Sequence, residues 1–212
     1  MENKKNYNKE MKHIVEENRK AEVKPGLLLH ACCAPCSSAC MERVWEDFDT
    51  TMFFYNPNIT NAEEYGKRSE ELRRLIESYN GEIAFLEGRY DPREFTAIAK
   101  GYEDCPERGE RCLRCYELRL KEAGVVAKEK GFDYFTTTLT LSPLKDASVL
   151  NEIGYRVADE INGAEVAGKE VKWLPSDFKK ENGYKRSIEL SKEHNLYRQD
   201  YCGCVYSAMA RQ

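Results

Sequence analysis

The sequence predicts an α/β domain built on a mostly parallel sheet with helices on both faces and a reaction site at the carboxyl ends of the strands. Three observations carry that expectation. Short apolar runs at 27–30, 51–55, 82–87, 132–139 and 171–174 alternate with longer stretches of helical periodicity, which is the rhythm of βαβ units. The chain has 212 residues, about the size of one domain. A tight cysteine group, Cys32-Cys33-Ala34-Pro35-Cys36, follows the first apolar run directly, where such sheets place their ligands.

Residues 1–24 form a polar N-terminal extension with Met11, Ile14 and Val15 as its apolar cluster, long enough for a short helix. Pro25-Gly26 punctuates the chain, and residues 25–212 are read as a single α/β catalytic domain. The strand at 27–30 runs into small residues, a proline and serines, so a loop opens a helix that continues through Cys40 to about Trp45. The strand at 51–55 closes at Asn56-Pro57-Asn58. Thr60 is the expected cap of the next helix, which carries Tyr65, Leu72, Leu75, Ile76 and Tyr79 and ends at Asn80-Gly81. After the third strand, Asp91-Pro92 starts a helix that Gly101 terminates, and a helix from about Cys112 to Lys130 stops at Gly131. The strand at 132–139 closes at Ser142-Pro143. Helices are expected near 146–162, 184–194 and from Cys202 onward, with a weak strand at 171–174 between the first two.

Composition excludes several classes. Thirty-three basic against 37 acidic residues give a net charge of −4, so the chain is not a broadly basic nucleic-acid coat, though a local basic groove is compatible with it. No apolar run approaches a membrane span and the start has no apolar signal core, so the expectation is a soluble, cytoplasmic protein. In that setting nine cysteines point to metal or redox chemistry rather than to a disulfide framework. Cys40 and Cys105 read as small buried hydrophobes.

Cys112-Leu113-Arg114-Cys115 puts two sulfurs on one side of a helical turn. The helix N-terminus and Arg108, Arg111 and Arg114 are expected to favour the thiolates that metals bind. Alone, this pattern also suits a thioredoxin-like redox pair or half a zinc site. Combined with Cys32-Cys33 at a strand end, it points to a Cys₄ centre. Adjacent cysteines are awkward ligands for one small ion, which favours iron–sulfur over zinc. Cys202-Gly203-Cys204 would close only a small strained ring, as an exchangeable redox couple does. Buried cysteines, zinc ligation and further cluster ligands remain alternatives for that pair. Cys36 is open as a second-metal ligand, a catalytic thiol or a core residue. His30, Lys145 and Asp146 are polar candidates at the cleft edge, each equally readable as a buried histidine, a solvated charge or a helix cap.

Several segments together resemble the QueH-type epoxyqueuosine reductases: residues 28–35 (Leu-Leu-His-Ala-Cys-Cys-Ala-Pro), Gly101-Tyr102-Glu103, residues 107–112, Cys115-Tyr116, residues 135–139 and Asp200-Tyr201-Cys202-Gly203-Cys204. The resemblance spans about 24–211. It implies a Rossmann-like (HUP-like) sheet and a two-electron reductive deoxygenation of epoxyqueuosine to queuosine at the wobble position of tRNA. It further implies a [4Fe-4S] cluster on Cys32, Cys33, Cys112 and Cys115, and a redox-active disulfide between Cys202 and Cys204. An additional iron ion is expected beside the cluster, with Cys36, where some members carry Asp, as its possible ligand or a catalytic group. The partners so implied are tRNA carrying epoxyqueuosine and an unidentified electron donor. For tRNA, the stretch 179–198 offers Lys179, Lys180, Lys185, Arg186, Lys192 and Arg198 with Tyr184 and Tyr197 among them. Two other classes compete. An ATP-dependent tRNA sulfur transferase would need a glycine-rich loop after the first strand, which this chain lacks. A non-enzymatic zinc-binding RNA module would use Cys112 and Cys115 structurally.

Overall fold

The structure, a computed structural model, describes residues 5–165 and 167–210. Its elements in chain order are α1 (Tyr7–Lys20), β1 (Gly26–Ala31), α2 (Ala34–Glu42), β2 (Asp49–Phe54), α3 (Ala62–Glu77), β3 (Ile83–Glu87), α4 (Pro92–Ala99) and α5 (Glu110–Glu129). They continue with β4 (Tyr134–Thr137), a 3-10 turn at Thr138–Leu141, α6 (Ala147–Gly163), β5 (Lys172–Trp173), α7 (Gly183–Glu193) and α8 (Val205–Met209).

The five strands form one sheet of order β3-β2-β1-β4-β5, parallel throughout. The chain steps outward from β1 to β3, then returns across β1 to lay down β4 and β5 on its other side. The strand order therefore reverses between β1 and β4, and the crevice beyond their carboxyl ends is the favoured ligand position of an open sheet.

Leu27, Leu28 and Leu29 are all fully buried, which explains why β1 reads as a continuous apolar run rather than an alternating one. Leu27 and Leu29 join Met52 and Phe54 in a core with α2, α3 and α7. Leu28 joins Phe53 and Phe135 in a second core beneath α5 and α6. Burying each of these side chains contributes about 1.5–3 kcal/mol. Met11 of α1 is buried in the first of these cores with Ile14 and Val15 against it, so the stripe in the polar extension has a packing role that sequence reading did not give it.

The expected boundaries shift where local hydrogen bonding prevails. Asn61, not Thr60, caps α3 by accepting from the Glu64 N–H at 3.0 Å. The strand expected over 132–139 stops at Thr137, whose hydroxyl accepts from Leu139 N–H at 3.2 Å and turns the chain into the 3-10 segment. The last helix begins at Val205 rather than Cys202, because Cys204 is its cap, its sulfur accepting from Ser207 N–H at 3.4 Å. Asp91 and Asp146 cap α4 and α6 through the N–H groups of Arg93 and Ser148, which settles Asp146 as a cap. Gly131, at φ +79°, ends α5 as the sequence implies.

Gly154 on α6 marks a close approach. A Cβ there would lie 2.2 Å from the Trp173 ring, whose Nε1 donates to Asn151 at 2.9 Å. We expect Gly154→Ala to lower stability by about 1–3 kcal/mol, the usual cost of overpacking, read as a lower urea midpoint at unchanged slope.

Candidate metal and redox site

The residues following β1 and β4 meet as the topology requires. Cys32 N–H donates to Thr138 Oγ1 at 3.3 Å, and the Thr138 hydroxyl lies 3.5 Å from Cys32 Sγ. This pins the double cysteine to the switch point. Pro35 in the first turn of α2 suits a helix start, and that turn brings Cys36 round to the same side. The Cys32 and Cys33 sulfurs are 3.7 Å apart, and with Cys36 all three lie within 4.8 Å of one another. A tetrahedral site with bonds of roughly 2.3 Å has sulfur–sulfur edges of about 3.8 Å, so adjacent cysteines here do fit one ion, contrary to the expectation from sequence.

Cys112 and Cys115 project from the first turns of α5 into the same cleft without joining that three-sulfur group, and Cys202 and Cys204 line it from the C-terminal segment. All nine cysteines are free thiols. The cleft volume is about 180 Å³, against about 10–15 Å³ for a single water, so it admits a group larger than one ion.

The thiols differ in character. Hydrogen bonds from Cys33 and Cys36 draw the Cys32 thiol well below its ordinary range, with Arg119 and Lys145 adding positive charge nearby. Cys33 is correspondingly pushed up to about 12 by its bond to Cys32, so the first thiolate of the trio falls on Cys32. Burial pushes Cys115 up to about 12 and Cys204 to about 11, and also raises Cys112. The arginines expected to activate Cys112 are otherwise engaged. Arg111 is buried and donates to the Tyr102 and Glu103 carbonyls, while Arg114 bonds the Tyr102 hydroxyl and pairs with Glu110. Only the backbone N–H of Arg108 reaches Cys112 Sγ, at 3.3 Å.

The Cys202-Gly203-Cys204 segment is held by side chains from elsewhere. Arg68 is 3% exposed and pairs with Glu64; its guanidinium donates to the carbonyls of Tyr201 and Cys202 at 3.4 and 3.3 Å. Asn58 donates to the same Cys202 carbonyl, and Thr60 N–H reaches the Gly203 carbonyl. Gly203 is at φ +105°, and a Cβ there would sit 2.8 Å from Ile59, so glycine is required twice over.

The remaining sequence candidates divide. Cys40 is fully buried in the core, as expected. Cys105 is only half-buried on the α4–α5 connection, a correction that follows from its surface turn. His30 is a fully buried histidine, 2.8 Å from Thr137 Oγ1 and 3.1 Å from the Tyr55 carbonyl, and burial lowers it to about 3, so it is neutral. Lys145 lines the cleft, and among the described residues its ammonium has no ion-pair partner. Sequence reading missed Arg119 and Arg68, both lining the cleft. For Arg119 a signal existed: Cys112, Cys115 and Arg119 recur at i, i+3 and i+7, one face of α5.

The donor set is suited to a metal. Cys32, Cys33 and Cys36 can hold an ion, and Arg119 leaves Nη1 buried without a hydrogen-bond partner beside the sulfurs. Fold and cleft thus define an α/β protein with a thiol-lined, metal-competent site at the switch point of a parallel sheet. The comparisons give that class its particular form. A family model described as "Epoxyqueuosine reductase QueH" matches residues 27–210. Relatives of that description include those of Streptococcus pyogenes serotype M1 (39% identical, 96% of this chain and 78% of the relative) and Staphylococcus epidermidis (40%, covering 96% and 85%). That of Thermotoga maritima is 33% identical over 88% of this chain and 92% of its own. The chain belongs to the epoxyqueuosine reductase QueH family.

Proposed function

We propose that this chain reduces epoxyqueuosine to queuosine at the wobble position of tRNA. Family membership supports the reaction, and the observation that carries its chemistry is the convergence of Cys32, Cys33, Cys112, Cys115, Cys202 and Cys204 on one cleft. In the reaction both C–O bonds of the epoxide break, a carbon–carbon double bond forms and the oxygen leaves as water. Two electrons and two protons are consumed.

Cys32, Cys33, Cys112 and Cys115 would hold a [4Fe-4S] cluster, and Cys36 would help to hold an adjacent iron. Bound there, these groups supply single electrons and Lewis acidity toward the departing oxygen. Cys202 and Cys204 as a dithiol carry two electrons and two protons, matching the reaction's demand as they pass to a disulfide; an external reductant then restores them. Lys145 holds a proton at Nζ in the cleft. Burial works against its charge, and Cys202, Tyr116 and Cys32 opposite keep it protonated.

The substrate reading needs an RNA-binding face. Of the basic stretch 179–198, Lys179 pairs with Asp177, Lys185 with Glu189, and Arg186 with Glu42, Glu189 and Glu193. Arg198 bonds Ser187 and Ser191. Lys180 and Lys192 are exposed and are the better candidates for phosphate contacts there. Among the described residues no helix is long and apolar enough to cross a membrane. A cytoplasmic setting suits both tRNA and a thiol-lined metal site.

The test is an anaerobic assay of reconstituted protein with epoxyqueuosine-containing tRNA and a low-potential reductant, followed by nucleoside mass analysis. The expected product is lighter than the substrate nucleoside by one oxygen. Cluster-loaded protein that leaves the epoxide intact under those conditions overturns the proposal.

A further inference from the structure

Arg119 is 1% exposed and carries a charge it cannot lose. Its Nη2 donates to Asn56 Oδ1 and its Nε lies 3.3 Å from His30 Nε2. Neither partner can be negative, and among the described residues no carboxylate pairs with it. Among the described residues Nη1 makes no hydrogen bond to nitrogen or oxygen. A buried cation without a counter-charge is strongly destabilising, and natural interiors pair it. Burial works against the Arg119 charge, and the groups that act to keep it are sulfurs, those of Cys115, Cys202 and Cys32, with Cys115 also within hydrogen-bonding influence of the guanidinium. Arg119 also lines the thiol cleft.

We infer that Arg119 is the fixed counter-ion of the thiolate-bound metal group and a positioning residue that raises that group's reduction potential. The inference rests on the cluster reading above and adds to it a role for a residue that need not ligate the metal. A cluster on four thiolates is anionic and becomes more so on reduction. A permanent cation beside it stabilises the reduced form more than the oxidised one, and a donor aimed at sulfur acts in the same direction. Asn56 and His30 anchor the guanidinium from behind, leaving Nη1 as the free donor.

The test uses full-length protein reconstituted anaerobically, with iron and sulfide content and an electron-paramagnetic-resonance redox titration as readouts. Arg119→Lys should keep the midpoint near that of the unaltered protein. Arg119→Met should still take up cluster but with the midpoint shifted to more negative potential. Asn56→Asp places a carboxylate against the guanidinium and should shift the midpoint the same way with Arg119 in place, so the idea stays testable even if Arg119→Met fails to fold. Loaded Asn56→Asp or Arg119→Met protein with an unchanged midpoint overturns the inference alone. Unaltered protein that takes up no iron–sulfur cluster removes the cluster reading and this inference with it.

Discussion

Alanine at Cys32, Cys33, Cys112 or Cys115 is expected to take the reconstituted protein from about five irons per chain, four in the cluster and one beside it, to a small residue of that, with loss of brown colour and of all product. The reason is geometric as well as chemical. Cys32 and Cys33 are fixed by β1 and Thr138, and Cys112 and Cys115 by the first turns of α5. Neither pair has a spare sulfur positioned to substitute, except that Cys36 lies within the Cys32–Cys33 group. Alanine at Cys33 is therefore the most discriminating variant, because partial retention there would assign Cys36 to the cluster. Iron and sulfide analysis with visible spectra checks all four. Full iron content in a Cys112→Ala or Cys115→Ala protein would remove α5 from the ligand set.

Serine at Cys202 is expected to leave iron content intact and to confine the enzyme to the electrons already stored. Product should then stop at or below one equivalent per protein, whereas the unaltered protein turns over repeatedly with excess reductant. A serine preserves the size of the side chain and leaves the carbonyl that Arg68 and Asn58 hold, so loss of turnover could not be assigned to a displaced loop. Time courses under single- and multiple-turnover conditions give the answer. Repeated turnover by Cys202→Ser would take the Cys202/Cys204 couple out of the mechanism.

The α/β class was legible because both sheet faces are covered, which turns Leu27-Leu28-Leu29 into an unbroken apolar run and leaves helical periodicity between such runs. The site was legible through its cysteines alone. Spacing along the chain reported which sulfurs exist, and the switch point between β1 and β4 reported where they meet. Charged residues on helices were another matter. For Arg68 nothing local distinguishes a guanidinium that turns inward from one that faces water, and for Arg119 the hint was its shared face with Cys112 and Cys115. The same ambiguity worked in reverse for Arg186, whose charge is met by Glu42 and its own helix rather than offered outward. The expected activation of Cys112 by its arginine neighbours is outweighed by burial, which raises the thiol although the Arg108 N–H and the Arg111 charge act the other way.

The cleft draws on segments around residues 32, 112 and 202, which the fold alone brings into register. The thiols at 202 and 204 lie about 90 residues beyond those at 112 and 115, so the cleft lacks one wall until that distant segment has joined it. Any group that draws on thiols from all three segments can be held only once all three have docked.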